Sequence, residues 1–197
     1  MSSGAADIMV VGVGGQGVLL AAAIIAEAAL LHGGLEVKQS ETHGMSQRGG
    51  SVHAYVRIAE RVLAPIISPG EVEYLLAFEE AEGLRWAPAL AAEGVAIVNT
   101  QQIVPPLASQ KDYAYPFDAL ARMKGQGRRL LAVDGTAIGA QAGSAKVAGI
   151  VLVGALSAYL TFAEETWRQA IVSKVGAAWL QPNLAAFAAG LEKGRSA

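Results

Sequence analysis

Residues 10–33 read VVGVGGQGVLLAAAIIAEAALLHG, an apolar run that breaks into glycines and resumes as a long apolar stretch closing on His32 and Gly33. Ile8 to Val11 form a short strand pattern, Gly12-Val13-Gly14-Gly15-Gln16-Gly17 a turn, and Val18 to Leu31 a helix ended by Gly33. This is the opening of a β-α-β unit. Gly12, Gly14 and Gly17 satisfy G-x-G-x-x-G where the pattern has meaning, after a strand and opening a helix, so that backbone N–H groups and the helix dipole favour an anion. Two readings of the turn are open: the glycines cradle a phosphate, or they permit a tight turn and close helix packing with no ligand. A dinucleotide site also needs an acidic residue at the end of the second strand to hold the ribose. Glu36 falls too early in that strand and Glu41 falls late, in an expected loop.

Outward from this unit, Leu35 to Ser40 reads as the next parallel strand, and the polar, flexible segment Glu41 to Gly50 interrupts the pattern. In SVHAYVRIA, residues 51–59, Val52, Ala54, Val56 and Ile58 alternate with Ser51, His53, Tyr55 and Arg57, which predicts a strand with one polar face. Tyr74 to Glu79 and Gly94 to Thr100 are compact apolar runs separated by a stretch that is helical up to Ala87, before Pro88. Gln101 to Pro116, with Pro105, Pro106 and Pro116, reads as a surface loop. Phe117 to Lys124 is a helix and Arg129 to Gly135 a strand ending in a turn. Thr136 to Ala142, Lys146 to Ala163, Glu164 to Val175 and Trp179 to Lys193 are helices. The expected fold is α/β: a single domain over residues 1–197, a three-layer sandwich with a mostly parallel Rossmann-like sheet and a helical C-terminal third.

Composition removes several function classes. With 15 basic and 17 acidic residues, a formal net charge of -2 and no run of five like charges, neither nucleic acid nor an anionic membrane is an expected partner. The sequence has no cysteine, so it supplies no thiolate to zinc or to an iron–sulfur cluster, and any cluster chemistry belongs to another chain. The N-terminus lacks the basic region of a signal peptide, and a cytoplasmic location is expected. Val147 to Ala163 is uncharged and approaches the roughly 20 residues of a membrane span, but its Gly, Ala and Ser content and the lack of flanking basic residues predict a helix buried in protein.

HGMSQRGGSV, residues 43–52, sets His43, Ser46, Gln47 and Arg48 beside Gly44, Gly49 and Gly50, presenting several donors on a permissive backbone. Its plain alternative is a solvated loop. His53 and Tyr55 read as packing or surface groups, Trp86, Trp167 and Trp179 as core or interface anchors, and Glu79, Glu80 and Glu82 as carboxylates compensating a helix dipole. His32, His43 and His53 lack metal-ligand spacing, and no recognisable nucleophile and base pair occurs. By these residues no catalytic group and no metal site is assigned.

Taken together, GVGGQGVLLAAAIIAEAAL and KQSETHGMSQRGGSVHAYVRI closely resemble the gamma subunit family of 2-oxoacid:acceptor (ferredoxin) oxidoreductases, most strongly the small subunit of the indolepyruvate type. ISPGEVEYLLAFEEAEGLRWAPAL, GVAIVNTQQIVPP and AKVAGIVLVGALSAYL extend the resemblance over most of the chain. The resemblance implies oxidative decarboxylation of a 2-oxoacid with coenzyme A to an acyl-CoA and carbon dioxide. Thiamine diphosphate, magnesium and [4Fe-4S] clusters would sit in partner subunits, and this chain would be a non-catalytic member of the hetero-oligomer, near the coenzyme A entrance. It implies one loop of Gly12, Gly14, Gly15, Gln16 and Gly17 and a neighbouring loop of His43, Gln47, Arg48, Gly49 and Gly50, both meeting coenzyme A or a partner subunit. Arg48 is the expected anion contact, because a guanidinium offers a fixed fork of donors. The 2-oxoacid is an aryl one such as indolepyruvate, with phenylglyoxylate, 2-oxoglutarate and pyruvate as alternatives and ferredoxin or NAD(P) as acceptor through other chains. A stand-alone NAD(P)-binding dehydrogenase and a pure assembly module are readings of other classes.

Overall fold

The computed structural model describes residues 4–43, 50–104 and 114–197. Among these, β1 (Ala6–Val13) leads through the glycine turn into α1 (Val18–His32), and β2 (Glu36–His43) precedes β3 (Ser51–Ala59). β4 (Val72–Ala77), α2 (Glu80–Trp86) and β5 (Leu90–Asn99) follow. α3 (Ala119–Gly125), β6 (Arg129–Val133), α4 (Gly135–Gln141), α5 (Ala148–Ser157), α6 (Glu164–Lys174) and α7 (Leu180–Arg195) complete the described chain.

The strands form one sheet in the order β2-β3-β1-β4-β5-β6. β1, β4, β5 and β6 pair in parallel, whereas β3 is antiparallel to both β1 and β2. Leu35 to Ser40 therefore contributes to an edge strand and is not the parallel neighbour of β1. The short connection between β2 and β3 allows antiparallel pairing alone, since a parallel pair needs a crossover of a dozen or more residues. Two reversals leave β2 running in the direction of β1, so the sheet remains mostly parallel.

Register carries the layers. Ala54, Val10, Leu76, Ile97 and Leu131 stand opposite one another across five strands. This face packs against α1 and α5, and the core continues through Trp167 and Phe187 into α6 and α7. The opposite face, with Met9, Val11, Leu75, Ala77, Ala96 and Val98, packs against the α2 and α3 side through Ala87 and Met123. α1 is apolar nearly all round because it lies between the sheet and α6. Its one charged group before the C-terminus, Glu27, pairs with Lys174 of α6 at 2.7 Å.

Several boundaries differ from the sequence reading, and β2 runs on to His43, so that Glu41 lies in the strand opposite Ala54 and not in a loop. β5 begins at Leu90, directly after a 3-10 turn at Ala87–Ala89 that contains Pro88, so the strand expected from Gly94 starts four residues earlier and takes in LAAE. α5 ends at Ser157, where Tyr159 and Leu160 N–H turn back to Leu156 and Ser157 carbonyls. Its residues from Gly149 to Ser157 are buried in protein, and no helix among the described residues is long and apolar enough to cross a membrane.

α5 and α7 meet backbone to backbone. A Cβ at Gly190 would fall on the Val151 carbonyl, and one at Gly194 on that of Ala155. Gly190→Ala sets a helix-propensity gain of about 1 kcal/mol against overpacking of a backbone contact that cannot yield. The net expected loss is about 2 kcal/mol in urea unfolding. Gly125→Ala, where the new Cβ meets open space, is expected to be neutral or stabilising by up to about 1 kcal/mol.

Candidate functional site

The glycine turn is built from its own sequence. Gly15 and Gly17 have φ of 102° and 88°, a left-handed backbone that side-chain-bearing residues rarely adopt. Gly17 is the N-cap of α1 and no side chain caps that helix, so its first N–H groups have no side-chain acceptor. Gly12 has another reason to be glycine: a Cβ there would meet Gln16 Oε1 at 2.9 Å and Phe78 Cβ at 3.0 Å.

Gln16 braces the turn. Its Oε1 accepts the Val13 N–H at 2.7 Å, and its Nε2 donates to the Phe78 carbonyl and to Gln101 Oε1, both at 3.0 Å. Gly14 N–H donates to the Gly50 carbonyl at 2.9 Å, which joins the root of the second glycine segment to the first turn. His43 ends β2 opposite Val52. Gln47, Arg48 and Gly49 lie outside the described residues, as do Gly44 and Ser46.

The C-terminal ends of β1, β4 and β5, with the turn after β6, surround a cleft of about 380 Å³ lined in part by Gly15, Gln16, Asn99, Gln101, Thr136 and Lys146. The helix after β1 packs on one face of the sheet and the helix after β4 on the other, the crossover at which open α/β sheets bind ligands. Asn99, 1% exposed, ties the floor together. Its Oδ1 accepts Gly135 N–H at 3.0 Å and its Nδ2 donates to the Phe78 carbonyl at 3.2 Å. Among the described residues lining the cleft there is no carboxylate, and Lys146 is the one cation, held with Nζ 5.7 Å from the centre of the Trp179 ring. The arrangement suits an anion: amide and backbone donors, one ammonium and no repelling acid.

The carboxylates lie on the other side of the β4 end. Glu79, Glu80 and Glu82 are 1%, 5% and 5% exposed, so compensation of the helix dipole describes only part of what they do. Glu79 caps α2 through the Glu82 N–H at 2.9 Å, and Glu82 takes the Ser51 hydroxyl at 2.5 Å and Arg85 Nε at 3.1 Å. The supposed polar face of β3 is thereby half-buried. His53 packs on Trp86 with ring centres 4.6 Å apart, and Arg57 makes a two-bond pair with Asp7 at 2.8 Å. Of the three tryptophans, Trp167 is fully buried between Phe162 and Phe187, and Trp179 is 44% exposed beside Lys146.

Residues 7–193 match the pyruvate ferredoxin/flavodoxin oxidoreductase family. The chain belongs to that family. It is 39% identical to indolepyruvate oxidoreductase subunit IorB of Archaeoglobus fulgidus, over 86% of this chain and 87% of that protein. It is 35% identical to the subunit of the same name from Thermococcus kodakarensis over 94% of each. In structure it is similar to a keto/oxoacid ferredoxin oxidoreductase gamma subunit from Geobacter sulfurreducens, with TM-score 0.72 and 27% identity over 98% of this chain and 99% of that one. No group of His, Asp and Glu side chains among the described residues of this family member is arranged to hold a metal ion.

The glycine turn is plain in the sequence, whereas Asn99, Gln101, Thr136 and Lys146 join it only in the folded chain. A polar residue closing an apolar run, Asn99 in GVAIVNT, was the available signal, since a strand's C-terminal end faces the ligand crevice in this class of sheet. Burial pushes the His53 imidazole below its ordinary value, because desolvation penalises the cation. The unfolded chain thus binds the His53 proton more readily. The stabilisation is present above the unfolded value near 6.5 and is lost as pH falls through the lower folded value. His53→Gln is expected to lose less stability than the unmodified chain between pH 7 and pH 5, measured by urea unfolding at each pH. Equal slopes would show that His53 titrates alike in both states.

Proposed function

We propose that this chain is the small, cluster-free subunit of a coenzyme A-acylating 2-oxoacid oxidoreductase acting on an aryl 2-oxoacid such as indolepyruvate. The observation that carries the reading is the acid-free cleft above the glycine turn, which forms one wall for a phosphate-bearing part of coenzyme A. Its curated relatives supply the substrate class, and the absence of cysteine leaves iron–sulfur clusters to partner subunits. Thiamine diphosphate with magnesium, held by a partner subunit, would supply the decarboxylating chemistry, and iron–sulfur clusters in partner subunits would supply the route for electrons to ferredoxin or another acceptor. The chain's own residues bind and orient: the α1 N-terminus and Lys146 meet anionic oxygens, while Gln16 and Asn99 hold the cleft floor rigid. Gly50, the described end of the second glycine segment, accepts the Gly14 N–H, and Arg48 of that segment is the proposed anion contact.

A self-sufficient NAD(P) dehydrogenase fits less well. In a dinucleotide site the ribose-binding acid ends the strand beside β1, but here β3 occupies that position and β2 lies one strand further out. Glu36 is also engaged at the start of β2, accepting the Val62 N–H at 2.8 Å.

The test uses the chain reconstituted with its co-purifying subunits. The isolated chain is expected to show no turnover of indolepyruvate with coenzyme A, and the complex to show it. Lys146→Ala removes one exposed ammonium worth about 1 kcal/mol and should raise the KM for coenzyme A about fivefold, with a smaller change in kcat. An unchanged KM for coenzyme A would remove the cleft from the binding surface.

A further inference from the structure

Glu79 does more than cap a helix. An N-cap needs one oxygen, and Glu79 Oε2 serves there, accepting the Glu82 N–H. Its Oε1 takes two donors from far along the chain, the Ile103 N–H at 3.1 Å and the Tyr115 hydroxyl. Glu80 continues the same contact: its N–H donates to the Gln101 carbonyl at 3.1 Å, and its Oε2 accepts Gln102 Nε2 at 2.8 Å. Residues 101, 102 and 103 are thus held one after another by the start of α2.

A carboxylate buried to 1% exposure is costly without partners, and three donors satisfy this one. Tyr115 is suited to the task, because burial, together with its bond to Glu79, pushes its phenol up and keeps it a donor throughout the neutral range. The contact bears on the cleft through two neighbours. Phe78, which precedes Glu79, gives its carbonyl to Gln16 and Asn99, and Gln101, two residues before Ile103, receives Gln16 Nε2.

We propose that Glu79 is a positioning residue of the cleft: one buried carboxylate holds Ile103 and Tyr115 to the end of β4 and so sets Gln101 on the cleft wall. The proposal rests on the reading of that cleft as a coenzyme A site. Ligand affinity then depends on Glu79 and Tyr115 although neither lines the cleft.

Two variants test it. Tyr115→Phe deletes one donor and keeps the ring, and Glu79→Gln turns an acceptor into a donor that must face an N–H or a hydroxyl in either orientation. In the full chain without ligand, hydrogen exchange at the Ile103 amide is expected to quicken about tenfold in Tyr115→Phe. In the reconstituted complex, the KM for coenzyme A is expected to rise about three- to tenfold, with the KM for the 2-oxoacid unchanged and kcat falling less than the KM rises. Glu79→Gln should exceed Tyr115→Phe in both readouts, and if it does not fold, Tyr115→Phe alone decides. Unchanged exchange overturns the proposal, because Glu79 would not be holding the segment. Faster exchange with an unchanged coenzyme A KM overturns it while Lys146→Ala still raises that KM, and the coenzyme A reading then stands. If neither variant nor Lys146→Ala alters the coenzyme A KM, that reading falls and the proposal falls with it.

Discussion

The carbonyl oxygen of Phe78 accepts two side-chain amides, Gln16 Nε2 from the turn after β1 and Asn99 Nδ2 from the end of β5. Through that shared acceptor the ends of three parallel strands are tied where the sheet would otherwise fray, and Asn99 Oδ1 adds the start of α4 through Gly135. A parallel sheet exposes unpaired carbonyls at its C-terminal edge, and these must find donors or water. Here the donors are amide side chains, neutral and able to donate and accept at once. The floor of the cleft is consequently rigid and uncharged, and it leaves the α1 N-terminus and Lys146 to set the local sign.

The insertion of β3 brings Gly50, at the root of the second glycine segment, to the first glycine turn. A β-α-β crossover alone would place β2 beside β1. Because β3 returns antiparallel between them, its first residues arrive beside the end of β1, Ser51 opposite Val13, and Gly50 bonds Gly14. The same insertion removes the strand end at which a dinucleotide fold keeps its ribose acid. One topological change thus accounts for both the joined loops and the missing acid.

The strand, turn and helix at residues 6–33 were legible because every determinant is local: apolar period, positive-φ glycines, a glycine stop. The helical C-terminal third was legible for the same reason, apart from the early end of α5. The antiparallel placement of β3 was not, since alternation announces a strand but is silent on which neighbour it joins. Asn99, Gln101 and Lys146 were illegible as a group, because their meeting with Gln16 depends on contacts spanning most of the chain. The two segments carrying the resemblance could be named without the structure, whereas the residues shaping the cleft between them could not.

The distribution of charge about the β4 end follows from these constraints. Phe78 and Glu79 are adjacent, and the first engages the cleft through its backbone carbonyl while the second engages α2 and residues 103 and 115 through its carboxylate. On one side the Phe78 carbonyl faces the amide floor. On the other, Glu79 faces donors brought in by Ile103, Tyr115 and α2, with Glu80 and Glu82 held by Gln102, Ser51 and Arg85. Three carboxylates therefore sit within one helical turn of the cleft without lining it, each engaged by internal donors. The near side of the wall offers neutral amides and an ammonium, while buried acid on the far side engages residues 101–103 and 115. That separation lets a chain of formal charge -2 carry an anion-compatible cleft.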